Sequence, residues 1–166
     1  MFLLDTPVVF ELRKARAGRT DAGLARWAAG VARTRLFLSA LSLVELENAA
    51  ARIGKRDREA VAPLRSWIDQ QLIPAFDGRI LPIDAAVARR RAAMSQAESR
   101  NALLAATAIE HGLTLVTRDV AAFKGGRVKL FNPWGYTPDA AEDEDEEWDR
   151  AGRAGPLWLR NLFVRA

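Results

Sequence analysis

Residues 101–119 read NALLAATAIEHGLTLVTRD, and the apolar period changes once within them. From Asn101 to Glu110 small apolar side chains (Ala102, Leu103, Leu104, Ala105, Ala106, Ala108 and Ile109) fill a helical segment, and Gly112 fits the left-handed residue that stops one. Leu113 to Thr117 then forms the most strand-like run of the chain. Ten helical residues advance about 15 Å, and five strand residues return about 16 Å. If helix and strand pack antiparallel across that short turn, Asp119 comes back beside Asn101.

The same alternation extends in both directions. Met1–Leu4 reads as a buried strand, followed by a helix with Thr6 as cap and Pro7 at its first position. Asp21–Ala32 is helical with Leu24, Trp27, Ala28 and Val31 on one face, and Arg35–Ser39 is a second strand. Ser42–Glu45 fits a capping box opening a helix towards Arg58, and a further helix covers Arg58 to Pro74. Arg79–Ile83 is a short strand, placed at an edge because Pro82 cannot donate to a ladder. Asp84 caps a helix running to Gln96, and Arg127–Phe131 is the last strand. Strands alternating with helices predict an α/β fold around a mainly parallel sheet.

Composition narrows the chemistry. The chain has 166 residues, no cysteine and a single histidine, His111, so thiol chemistry and a two-histidine metal site within one chain are excluded. His111 is placed most simply at a helix C-terminus. No stretch approaches the ~20 apolar residues that span a bilayer. The N-terminus lacks the basic start of a signal peptide, so a cytoplasmic protein with no membrane partner is expected. The net charge of +4 divides unevenly: residues 1–138 hold 21 Lys/Arg against 13 Asp/Glu, and residues 139–166 hold 4 against 8. A basic body points to an anionic partner, nucleic acid first. The expected division is a domain over 1–135 and a tail over 136–166, in which the acidic run Glu142–Glu147 forms a linker and Leu157–Val164 an apolar terminal segment.

Ligands of an open parallel sheet bind beyond the carboxyl ends of its strands. Asp5 ends the first strand, Glu45 lies in the first helical turn after the second, and Asp119 follows the 113–117 strand. With Asn101 they bring four oxygen-bearing side chains to one rim. Converging oxygens suit Mg²⁺, which needs few carboxylates beside a substrate phosphate. Each residue also has a plainer use: Asp5 in a turn, Glu45 as acceptor of the box with Ser42, Asn101 as a helix cap, Asp119 as a loop acid. Their shared location is what singles them out.

Three stretches together resemble the PIN-domain ribonuclease toxins, the VapC-like proteins and their FitB-like relatives: Phe2–Thr6 (FLLDT), Leu41–Leu46 (LSLVEL), and Asn101–Ala108 (NALLAATA) running on to Leu115–Asp119 (LVTRD). Phe131–Trp134 (FNPW) is similar to the end of such a domain. The resemblance implies a three-layer α/β/α sandwich. It also implies a Mg²⁺- or Mn²⁺-dependent endoribonuclease acting on RNA, homodimeric, and held inactive by an antitoxin. Its acidic quartet falls on Asp5, Glu45, Asn101 and Asp119, as metal ligands and catalytic residues. Three positions depart from the family pattern: Pro7 where an asparagine is usual, Asn101 where an acid is expected, and Ala122 where an acid often precedes the phenylalanine, here Phe123. Asn101 offers a carbonyl oxygen but no charge, which weakens hard-cation binding, and Glu98 lies one turn upstream as a compensating acid.

Two functions follow. The first is a metal-dependent endoribonuclease toxin with Arg118 steering phosphate. The second is a catalytically weakened PIN-fold module that binds RNA or a partner protein without cleaving. A solvated tail is the plainer reading of residues 139–166; the opposite charges of body and tail add a third idea beside it, that the acidic run lies over the basic rim or Leu157–Val164 fills an apolar groove.

Overall fold

The structure is a computed structural model that describes residues 1–15, 18–94 and 99–138. Its strands are β1 (Phe2–Leu4), β2 (Leu36–Ser39), β3 (Ile80–Leu81), β4 (Thr114–Val116) and β5 (Lys129–Phe131). They form one sheet in the order β3-β2-β1-β4-β5, and every pairing is parallel. Parallel neighbours need crossover connections, and helices supply most of them. Helices α1 (Thr6–Arg13) and α2 (Ala22–Gly30) lead from β1 to β2. Helices α3 (Ala40–Gly54), α4 (Arg58–Trp67) and α5 (Ile73–Ala75) lead to β3, and α6 (Ala85–Ala92) and α7 (Ser99–Glu110) lead to β4.

Alternation along each strand sorts the core into two layers. Leu4, Leu36, Leu38 and Val116 face one side, where Val8, Leu24, Trp27, Leu46 and Leu64 pack. Leu3 and Leu115 face the other, against Leu104, Ala105 and Ala108 of α7 and against Phe123. Successive strand residues point to opposite faces, so a sheet covered on both sides needs the continuous apolar runs seen here. Each fully buried leucine contributes about 2 kcal/mol of burial free energy. The expected three-layer α/β/α architecture is the one observed.

Helix boundaries differ from expectation in instructive ways. Asp5, not Thr6, caps α1, accepting the Thr6 N–H at 2.8 Å. Helix α3 begins at Ala40 with Ser39 as its cap, so Ser42 lies inside the helix and the expected capping box does not form. The Ser42 hydroxyl is buried without a partner among the described residues. Asn101 is the third residue of α7 rather than its cap. The expected 58–74 helix passes through a wider π turn at Ile68–Leu72, where the Ile73 N–H bonds the Ile68 carbonyl. Pro82 follows an edge strand, as its missing donor requires.

Residues 132–136 close back over α2. The Trp134 N–H bonds Asn132 Oδ1 at 2.9 Å, and a side chain at Gly23 would meet the Tyr136 backbone nitrogen at 2.3 Å. Gly23 is therefore required by close backbone approach. No helix among the described residues is long and apolar enough to cross a membrane. The acidic run, the apolar segment Leu157–Val164 and Glu98 lie outside the described residues.

Candidate active site at the carboxyl ends of the strands

Strand order reverses at β1: β2 lies on one side and β4, reached after β3, on the other. The crevice at such a switch point is where open α/β sheets bind ligands. Asp5 follows β1 directly, and its N–H bonds the Val116 carbonyl at 3.0 Å. Thr117, directly after β4, donates its hydroxyl to Asp5 Oδ2 at 2.8 Å. Asp5 is 3% exposed. A carboxylate this deep must be paired or hydrogen-bonded.

Glu45 arrives from α3. Its Oε2 accepts from the Thr6 hydroxyl, whose own backbone N–H bonds Asp5. Thr6 thus ties the two acids together through its side chain and main chain. The groups that neutralise them come from α7. Arg100 donates Nε to Glu45 Oε1 at 2.7 Å and Nη2 to Glu45 Oε2 at 3.0 Å. The same Nη2 donates to Asp5 Oδ1 at 2.6 Å, and Nη1 donates to Asn101 Oδ1 at 2.8 Å. Charge-assisted, multidentate bonds of this kind are among the stronger ones in proteins. Burial pushes the Glu45 carboxyl up, but hydrogen bonds from Arg100 and Thr6 outweigh it and hold Glu45 below the ordinary range. Bonding to Glu45 in turn makes the Arg100 guanidinium hold its proton more firmly than a free one.

Asp119 stands apart from this cluster. It is exposed and caps the short 3₁₀ turn Val120–Phe123, accepting the Ala122 N–H at 3.1 Å. Its link to the others runs through the backbone: the Asp119 N–H bonds Thr117 Oγ1, which bonds Asp5. The expected four-way convergence is therefore three residues on one guanidinium with Asp119 one step removed. Among the described residues, no three acidic or histidine side chains gather as a metal centre. Arg118 is exposed, its guanidinium 5.5 Å from the centre of the Trp134 ring. Beside the cluster opens a cleft of about 460 Å³, lined by Thr6, Pro7, Phe10, Glu45, Arg52 and Arg100 among others.

Sequence reasoning missed Arg100, Thr6 and Thr117 as parts of the site. A signal for the first was present: a cation directly precedes the position where an expected acid is neutral. Thr6 directly follows Asp5 and Thr117 precedes Asp119 by two residues, positions that do not by themselves mark either as part of the site.

Residues 2–125 match the PIN domain family. The chain is 32% identical over 142 residues to the VapC ribonuclease Y4jK of Sinorhizobium fredii, covering 81% of this chain and 98% of that protein. It is 34% identical over 143 residues to toxin FitB of Neisseria gonorrhoeae, covering 81% and 99%. The crystal structure of FitAcB from the same organism superposes with a TM-score of 0.72 at 32% identity, covering 81% of this chain and 99% of that one.

Proposed function

The chain belongs to the PIN-domain family of VapC-like toxins, and on that premise we propose that it is the toxin of a toxin–antitoxin pair, an endoribonuclease that hydrolyses RNA with a divalent ion, Mg²⁺ or Mn²⁺. One observation carries the reading: oxygens of Asp5, Glu45 and Asn101 converge on a single cationic centre beyond β1 and β4. The guanidinium is a stand-in there. The donors around it are all oxygen, the set that hard divalent cations take, and one or two carboxylates with substrate phosphates suffice for Mg²⁺.

Asp5 and Glu45 would hold the ion, with the Asn101 carbonyl as a neutral donor and Asp119 as the acid on the β4 side. A bound divalent ion supplies an activated water and counter-charge for the phosphoryl oxygens. The chain does the rest. Thr6 and Thr117 hold the two carboxylates in place by donating to them. Arg52 in the cleft and Arg118 on the rim present positive charge to the RNA backbone. An antitoxin and a second copy of the chain are the protein partners of this reading; likeness to the FitAcB structure supports the first.

The full-length protein should cleave RNA in Mn²⁺ or Mg²⁺, stop when the metal is chelated, and lose cleavage in Asp5→Asn. Equal cleavage by the native and Asp5→Asn proteins would overturn the assignment. A second reading, a PIN-fold module that binds RNA or a protein without cleaving, is favoured by the pairing of both carboxylates with Arg100. Asn101→Asp separates them. A large gain in cleavage identifies a suppressed nuclease, and no cleavage by either protein at saturating Mn²⁺ identifies the module.

A further inference from the structure

Arg100 differs from an ordinary surface ion pair in three respects. First, it occupies the opening turn of α7, the positive end of the helix, where a cation is disfavoured. The carboxylates of Asp5 and Glu45 must more than offset that placement. Second, it engages Asp5 Oδ1, both oxygens of Glu45 and Asn101 Oδ1 at once. These are the oxygens that a divalent ion would need, so the cluster holds one cation or the other. Third, the Arg100 side chain is 28% exposed and lines the cleft, while that of Asp5 is 4% exposed. The guanidinium has a way out and the carboxylate does not.

The charges lead the same way. Three acids at Asp5, Glu45 and position 101 would carry −3; the residues present, with Arg100 among them, sum to −1. Hard-cation affinity follows ligand charge, so both departures lower it together. We propose that Arg100 is a tethered cation that closes this carboxylate site to divalent metal, an ion entering only when the guanidinium swings out into the cleft. The proposal rests on the metal-dependent reading above, and its test reads binding rather than cleavage.

Mn²⁺ binding to the full-length protein is titrated by electron paramagnetic resonance, with thermal unfolding followed in parallel. Arg100→Ala should bind Mn²⁺ at least about tenfold more tightly than the native protein, since losing one charge-assisted competitor bond is enough for that. Its melting temperature should rise with Mn²⁺ while the native one barely moves. Arg100→Lys, which keeps the charge, should bind as weakly as the native protein. Should Arg100→Ala fail to fold, Arg100→Gln carries the same expectation. Native binding as tight as that of the neutral variants overturns the proposal. Binding by Asn101→Asp as tight as that of the double variant Arg100→Ala/Asn101→Asp also overturns it while leaving the metal-dependent reading standing. If Arg100→Ala, Arg100→Gln, Asn101→Asp and the double variant Arg100→Ala/Asn101→Asp all fail to bind, both fall.

Discussion

The rim of the sheet carries acids at two corners, and the corners are built differently. Where β1 meets α3 and α7, Asp5 and Glu45 are held by Arg100, Thr6 and Thr117, groups drawn from residues 6 to 117. Where β4 turns towards β5, Asp119 is exposed and is held by the backbone of its own next turn. Both acids follow strands, and sequence position alone ranks them equally. Their partners separate them: a long-range cation makes the first corner an electrostatic centre, and a local cap leaves the second a loop.

The sharpest way to break the comparison is Asp5→Ala. It strips Arg100 of one carboxylate and Thr117 of its acceptor. Losing the buried carboxylate leaves the Thr6 N–H and the Thr117 hydroxyl without their acceptor, at about 1–3 kcal/mol for each unsatisfied group, measurable by urea denaturation. A loss below about 1 kcal/mol would mean that Glu45 alone satisfies the guanidinium, and the corners would then differ in little. Next comes Gly23→Ala, which acts on the second corner through backbone alone. The added carbon meets Tyr136 N at 2.3 Å, and forcing the strap outward should cost about 1–3 kcal/mol. Hydrogen exchange should quicken at 132–136 and stay unchanged around Asp5.

Asp119→Ala should cost about 1 kcal/mol, the value of one helix cap. A cost near that of Asp5→Ala would show that Asp119 shares the Arg100 network. The smallest effect is the pH dependence of Glu45. Its carboxyl lies below the ordinary range in the folded protein. Its contribution is therefore fully present above the unfolded value near 4.3 and fades as pH falls through the lower folded one. As pH falls from about 5, the native melting temperature should fall more steeply than that of Glu45→Gln, and equal slopes would remove Glu45 from the network.

Much of this was legible beforehand. Continuous apolar runs such as Phe2–Leu4 and Leu36–Leu38 mark strands buried on both faces, and the small-residue face of α7 marks a helix pressed close to the sheet. Pro82 marks an edge, and their placement around the strand ends draws Asp5, Glu45 and Asn101 to one rim, where all three bond the Arg100 guanidinium. Caps slipped by one to three residues because Asp5, Thr6, Ser39 and Ser42 are all competent caps, and strand length decides among them. Arg100 escaped notice because a flexible guanidinium can point to solvent or inward. Only the spacing of acids from two other elements, set by tertiary packing, decides which.

The all-parallel order of the sheet has a consequence for how the molecule comes into being. No two strands here can pair through a local hairpin. Strand β1 obtains its second neighbour only with β4, more than a hundred residues later. The Asp5 corner needs Thr117 as well as Arg100. During synthesis, then, the acids exist long before the site does. A truncated or half-emerged chain would carry the full complement of early carboxylates and still have nothing assembled with which to act.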